Sequence, residues 1–107
     1  MNTNDMTEGQ RLIYDTTPGG ILLREFLEPL NLSQAELARR TGLPTSRITE
    51  IIKGRRAITG ETAVAFGAFF GNSPQFWLNL QAGCDLRRIE MTNASAIRAR
   101  VQPLEVA

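Results

Sequence analysis

Apolar residues recur at helical spacing in five successive stretches between residues 18 and 90 of this chain. Glycine, proline and small capping residues separate the stretches, as they do at the ends of helices. Strand patterns are few, so we expect an all-α fold. The predicted helices begin near Pro18, Ser33, Thr45, Thr59 and Ser73 and end near Pro29, Thr41, Gly54, Gly71 and Glu90.

The second and third predicted helices form the most informative pair. Ser33 and Glu36 have the spacing of a capping box, in which the serine accepts a hydrogen bond from the Glu36 backbone and the glutamate returns one. Gly42 stands where a left-handed residue ends a helix, and Gly54 ends the next helix. Two short helices joined by a tight glycine turn and followed by two arginines indicate a helix-turn-helix, whose second helix enters the DNA major groove.

The fourth predicted helix is apolar on nearly all sides, which is typical of a helix at the centre of a core. We therefore expect it to be the buried, central helix. Its apolar residues are Ala63, Val64, Phe66, Ala68, Phe69 and Phe70.

The segments on either side of these helices differ from them in composition. Residues 1–17 are mostly polar and predict a flexible leader, residues 18–90 predict one helical domain, and residues 91–107 predict a tail. In the tail, Ile97, Val101 and Leu104 keep helical spacing, so part of it is expected to be helical. A chain of 107 residues has room for a single hydrophobic core.

Composition argues against several classes of protein. The chain has no histidine and one cysteine, Cys84, which removes the commonest general base, the commonest metal ligand and any intrachain disulfide. It also has no glycine-rich phosphate loop. We therefore expect neither an enzyme nor a metal or cofactor site. The same counts fit a reduced, cytoplasmic protein. The polar first ten residues do not have the pattern of a signal peptide, and the lack of a long apolar run predicts no membrane span.

The net charge of +1 conceals an uneven distribution. Residues 1–35 carry two arginines against five carboxylates, whereas residues 36–61 carry six basic side chains against three acidic ones. The basic middle coincides with the predicted helix-turn-helix, so we expect it to bind a polyanion. The acidic first third is a candidate surface for a basic protein partner.

The polar face of the third predicted helix supplies the candidate DNA contacts. Arg47 either reads a guanine through two hydrogen bonds or clamps a phosphate. Glu50 either accepts from a cytosine amino group or pairs with Arg47 or Lys53 along the helix. Arg55 and Arg56 follow in a loop and are expected to bind phosphates in a salt-dependent way. The positions able to reach bases or phosphates are Thr45, Ser46, Arg47, Thr49, Glu50 and Lys53.

Residues 32–56, LSQAELARRTGLPTSRITEIIKGRR, resemble the lambda-repressor-like, or XRE, helix-turn-helix. The flanking stretches PGGILLREFLEPLNLS (18–33), AITGETA (57–63) and GNSPQFWLNLQ (71–81) resemble the HigA family of antitoxins. This resemblance implies a five-helix domain that dimerises, represses its own operon and neutralises a toxin that is a ribosome-dependent mRNA endonuclease. It also implies that Gln34 contacts a DNA phosphate and that Thr45, Ser46 and Glu50 read bases.

A homodimer has a predictable interface and a predictable operator. The fifth predicted helix carries more apolar side chains than a small core needs, so the interface is placed around Phe76 to Leu86 and in the tail. The two recognition helices of a dimer enter major grooves about 34 Å apart, so the operator is expected to be an inverted repeat. For the aromatic residues and for Cys84, core packing is the other interpretation. The predicted interface residues are Phe76, Trp77, Leu80, Cys84 and Leu86.

Two other functions remain open from the sequence. A stand-alone repressor would share the fold but have no toxin partner. A protein-interaction module would share the fold but have lost DNA binding, and replacing Arg47 or Arg55 by alanine would not change its behaviour.

Overall fold

The computed structural model describes residues 17–105, and within that range the chain is helical with no strand, which confirms the all-α prediction. Apart from Thr17, the predicted leader at residues 1–17 lies outside the described residues. The helices are α1 (Pro18–Ile21), which continues as a wider π-helical turn (Leu22–Leu27), then α2 (Gln34–Thr41), α3 (Thr45–Ile52), α4 (Gly60–Phe70), α5 (Pro74–Thr92) and α6 (Ala94–Arg100).

The helix boundaries follow the capping residues of the sequence. The Ser33 hydroxyl accepts a hydrogen bond from the Glu36 backbone at 3.0 Å, and Ser73 does the same for the Phe76 backbone at 3.1 Å. Gly42 ends α2 with a left-handed φ of 76°, which a residue with a side chain rarely adopts. The capping box is only half formed, because the Glu36 carboxylate pairs with Arg39 instead of returning to the Ser33 backbone.

The end of the first helical stretch was not predicted in its detail. The Glu28 backbone N–H donates to the Leu23 carbonyl at 2.9 Å, and the Leu32 N–H donates to the Leu27 carbonyl at 2.8 Å, both five residues back. Asn31 takes a positive φ of 52°, so the chain turns sharply before α2. A π-helical turn of this kind is rare, and hydrophobic spacing does not distinguish it from an α-helix.

The core lies where α1 with its π-helical turn, α2, α3, α4 and α5 meet. Trp77 is fully buried, and its indole N–H donates to the Asn72 side chain at 2.8 Å. The rings of Phe26 and Phe66 lie 5.0 and 5.1 Å from the Trp77 ring, a spacing typical of favourable aromatic pairs. Gly19 lets α1 approach α3 closely, because a Cβ there would lie 2.0 Å from the Ile51 carbonyl oxygen.

The prediction that α4 is buried on nearly all sides is wrong for its outer face. Thr62, Ala63, Phe66 and Gly67 are buried, but Val64 is 58% exposed and Ala68 is also exposed. One side of α4 packs on α5 and the core, and the other side faces outward despite its apolar side chains. Apolar composition alone therefore did not reveal which side is covered.

The two C-terminal helices differ from the sequence prediction in where they end. Helix α5 has 19 residues and runs to Thr92, two residues beyond the predicted end. Part of the tail is helical, as predicted, but α6 stops at Arg100 and leaves Leu104 outside it, close to Pro103. Among the described residues, no helix combines the length and the hydropathy that crossing a membrane requires.

Candidate nucleic-acid interface

Helix α3 has the two-sided character that a recognition helix needs. Ile48 and Ile51 are buried and hold α3 to the core. Thr45 and Ser46, at the start of α3, are exposed. No side chain caps this N-terminus, because Pro44 occupies the cap position. The first backbone N–H groups of α3 are therefore open to an anionic group, which the helix dipole also favours.

All nine predicted DNA contacts lie on α2, α3 and the loop that follows them. Five of them, Thr45, Ser46, Lys53, Arg55 and Arg56, are exposed. The other four are partly buried because they contact neighbouring elements. These four are Gln34, Arg47, Thr49 and Glu50. We call this nine-residue set, together with the start of α4, the reading surface; its role in DNA binding stays a prediction.

A hydrogen bond between Thr49 and Gln34 links the two helices of the motif. The Thr49 hydroxyl donates to the Gln34 side-chain oxygen at 3.0 Å, across a sequence separation of 15 residues. Because the amide oxygen is engaged, the amide NH2 group of Gln34 is left as a donor. A donor fixed in this way at the start of α2 suits a DNA phosphate.

Arg47 makes a contact that sequence reasoning missed. Its guanidinium pairs with Glu61, in the first turn of α4, at 2.5 Å. The Arg47 side chain is 28% exposed, whereas the Glu61 side chain is 73% exposed. Glu61 follows Thr59, the predicted start of this helix, by two residues and was not among the predicted DNA contacts. The two residues are 14 positions apart, so local spacing gave no sign of the pair.

Glu50 pairs with Arg56 at 3.1 Å, so the predicted pairing with Arg47 or Lys53 is wrong. The reason lies in the end of α3. Gly54 takes a positive φ of 76°, and the Arg55 N–H donates to the Glu50 carbonyl at 2.8 Å. This reversal brings Arg56 back over α3.

The other basic side chains of the middle segment divide into two groups. Arg39 pairs with Glu36, and its hydrogen bond holds the pKa of that carboxyl below the usual range. Arg40 lies over the Phe69 ring at 4.9 Å, a cation–π contact. Among the described residues, Lys53 and Arg55 have no carboxylate within ion-pairing distance. These two therefore present their full charge to solvent.

The predicted dimer residues do not share one exposed surface. Trp77 and Cys84 lie inside the protomer, so their assignment to an interface is corrected to core packing. Phe76 and Leu80 are half-buried and pack against the core. Leu86 is 65% exposed and is accessible to a second chain. Helical spacing did not separate these cases, because α5 continues past the core after Cys84.

Comparisons with known proteins agree with this architecture. The helix-turn-helix family model matches residues 23–77. Virulence-associated protein I of Dichelobacter nodosus is 41% identical over 78 residues, which cover 73% of this chain and 72% of that protein. An addiction module antidote protein of the HigA family from Coxiella burnetii superposes with a TM-score of 0.76 at 38% identity, covering 82% of this chain and 96% of that one.

A second solved structure includes DNA. The antitoxin HigA of Pseudomonas aeruginosa, determined with the higBA promoter, superposes with a TM-score of 0.77 at 34% identity, covering 82% of this chain and 96% of that one. Together with the helix-turn-helix match across half the chain, these likenesses show that the chain belongs to the helix-turn-helix family, in its HigA group.

Proposed function

We propose that this chain is an antitoxin that binds operator DNA as a homodimer, represses its own operon and neutralises an mRNA-endonuclease toxin. The observation that carries the proposal is α3, with one side buried against the core, a polar opposite side and an N-terminus that no side chain caps. The likeness to an antitoxin solved with its promoter supports the same role. In this proposal the chain is not an enzyme. It acts in the cytoplasm, where its DNA and the mRNA are found.

In the proposed complex, α3 enters the major groove with its N-terminal end foremost. Thr45, Ser46 and Glu50 face base edges, and Arg47 contacts a guanine or the adjacent backbone. Phosphate binding falls to other groups of the reading surface, which fix the register of the protein on the duplex. These are the Gln34 amide, the open N–H groups of α3 and the side chains of Lys53, Arg55 and Arg56.

The proposed dimer forms through the C-terminal half of α5 and through α6. Leu86, Ile89 and Met91 are exposed there, and Val101 follows at the end of α6. Burying such exposed apolar side chains against a second chain removes them from water, which stabilises an interface. Residues 18–90 would then contain the DNA-contacting side chains and the first part of the dimer interface. Residues 91–107 would extend that interface. Two half-sites in an inverted repeat match the two-fold symmetry of such a dimer.

The proposed toxin contact is an acidic surface on the first helical stretch. Glu25 and Glu28 are exposed and have no ion-pair partner among the described residues. An mRNA endonuclease must present a basic face to RNA, so two uncompensated carboxylates complement it electrostatically. Covering that face would block access of the RNA substrate.

Co-expression with the protein encoded by the adjacent short reading frame tests this function. We expect the two proteins to co-elute in size-exclusion chromatography, and the neighbour to arrest growth when it is expressed alone. Binding to DNA from upstream of the operon should be retained by this chain without the neighbour. Separate elution together with a harmless neighbour would contradict the antitoxin role and leave a stand-alone repressor.

A further inference from the structure

Two of the arginines predicted to contact DNA are already engaged by glutamates within the protein. Arg47 pairs with Glu61 at 2.5 Å, and Arg56 pairs with Glu50 at 3.1 Å. Both glutamates lie on the reading surface itself, Glu50 on α3 and Glu61 in the first turn of α4. A carboxylate is an unusual neighbour for a polyanion, because the DNA phosphates repel it.

The two pairs reduce the charge that this surface offers to a phosphate. An arginine paired with a glutamate adds no net charge, and an approaching phosphate must compete with the carboxylate for the same donors. Lys53 and Arg55 remain without a carboxylate partner among the described residues. A duplex that contacts the protein only through its phosphates therefore finds about two unpaired cationic side chains per protomer. Without the two ion pairs it would find four.

We propose that Glu50 and Glu61 are specificity-determining residues that suppress binding to non-cognate DNA by holding Arg56 and Arg47. This proposal rests on the DNA-binding function proposed above. Glu61 acts through Arg47, as a positioning residue, whereas Glu50 lies on the recognition helix and also faces the bases.

A cognate site differs from other DNA because its bases offer hydrogen-bond partners that replace those lost when the two ion pairs open. A guanine offers Arg47 two acceptors, O6 and N7, in the geometry of its guanidinium fork. A cytosine amino group donates to the Glu50 carboxylate once Arg56 turns to the backbone. A non-cognate duplex presents phosphates to the arginines but no such partner to the carboxylates. The cost of opening the pairs is therefore compensated only at the cognate site.

Salt dependence of binding measures how many cations each duplex engages. The logarithm of the association constant falls with the logarithm of salt concentration by about 0.9 for each phosphate neutralised. On a duplex without the operator sequence, we expect a slope of about −2 per protomer for the natural chain and of about −4 for Glu50→Gln combined with Glu61→Gln. Non-cognate affinity at 50 mM salt should rise about tenfold or more, while affinity for the operator changes much less or falls.

A control variant separates this effect from a simple change in net charge. Glu25→Gln combined with Glu28→Gln also removes two carboxylates, but on and just after the first helical stretch, outside both the reading surface and the proposed dimer interface. We expect its non-cognate slope to stay near that of the natural chain. Glu61→Gln alone is a second variant, because Glu61 lies outside the recognition helix and its removal takes away no predicted base contact.

The possible results separate the two proposals. If the natural chain shows no preference for operator over unrelated DNA, the proposed function fails. If the natural chain does prefer the operator, but Glu50→Gln with Glu61→Gln matches the control in non-cognate affinity and slope, then this inference is wrong. A steeper non-cognate slope and a smaller operator preference, in the double variant and to a lesser degree in Glu61→Gln alone, support it.

Discussion

The reading surface and the C-terminal helices α5 and α6 differ in how their exposed side chains are partnered. On the reading surface, side chains from α2, α3, α4 and the loop contact one another, as Gln34 contacts Thr49 and Arg47 contacts Glu61. On the outer side of α5 and α6, large apolar side chains such as Leu86 and Ile89 face solvent. The comparison teaches that side chains of one chain partner one another across the reading surface, whereas the apolar side chains of α5 and α6 stay exposed, as the proposed dimer requires.

The largest expected effect comes from adding a charge to the C-terminal surface. Leu86→Asp places a carboxylate at an exposed apolar position, so it should prevent dimerisation without disturbing the protomer core. Loss of the second half-site contact should lower operator affinity at least about 100-fold. Light scattering gives the mass, and a gel-shift titration gives the affinity.

The matched control for that change is Val64→Asp, at a comparably exposed apolar position on α4. It should leave both mass and operator affinity nearly unchanged. A Leu86→Asp protein that remains dimeric would contradict the placement of the interface on α5 and α6.

A smaller effect is expected from Arg47→Ala on the reading surface. Losing a bidentate hydrogen-bond contact to guanine costs about 1–3 kcal/mol of discrimination, which corresponds to about a 5- to 150-fold loss of operator affinity. The dimer should persist, because Arg47 lies on α3 and pairs with Glu61 of α4, outside the proposed interface on α5 and α6. Operator and unrelated duplexes titrated side by side give the measurement. Arg39→Ala, which removes an arginine paired with Glu36 outside the reading surface, is the control and should alter operator binding much less.

If Arg47→Ala reduces affinity for both duplexes equally, Arg47 binds a phosphate and does not read a base. That result would retain Arg47 on the reading surface but remove it from base recognition.

A still smaller effect is expected from Thr49→Val, which keeps the shape of the side chain and removes its hydroxyl. The Gln34 amide then loses the donor that orients it, and a hydrogen bond of this kind contributes about 0.5–1.5 kcal/mol. Operator affinity should fall about 2- to 12-fold. Thr41→Val removes a hydroxyl that donates to the Leu37 carbonyl on α2, does not contact Gln34, and should have no such effect. Equal affinities for the two variants would show that the Gln34–Thr49 bond does not contribute to binding.

The smallest effect concerns pH and the C-terminal helices. The hydrogen bond from Arg98 lowers the pKa of the Glu90 carboxyl below its ordinary value of about 4.5. Because the folded-state pKa is depressed, the contribution to stability is full above the unfolded-state pKa and is lost as the pH falls through the folded-state value. A carboxyl titration by NMR should show an upward shift of the Glu90 pKa in Arg98→Ala. An unchanged Glu90 pKa would rule out this pair in solution.

Local chemistry made much of the fold predictable. Ser33 and Ser73 are caps whose side chains accept backbone bonds three residues ahead, and Gly42 takes the left-handed conformation that ends a helix. Such signals depend on residues close in sequence. The π-helical turn was not predicted, because its apolar spacing also fits an α-helix.

The candidate site was predictable in position but not in its contacts. Eight of the nine side chains were identified from their places on α3 and the following loop, and Gln34 from the family resemblance. The pairs Arg47–Glu61 and Arg56–Glu50 depend on how α4 and the loop approach α3, which the three-dimensional packing determines. The same reason explains why Trp77 and Leu86, both apolar residues of α5, differ so widely in exposure.

The most direct test of the account is the stoichiometry of the complex with DNA. Sedimentation of the purified chain with an inverted repeat from upstream of its operon, and with a single half-site, gives the number of chains on each duplex. The account predicts two chains that bind the inverted repeat in one step, and much weaker binding to the half-site. One chain on each duplex with equal affinity would contradict the account, in which each chain provides one reading surface and two chains associate through α5 and α6.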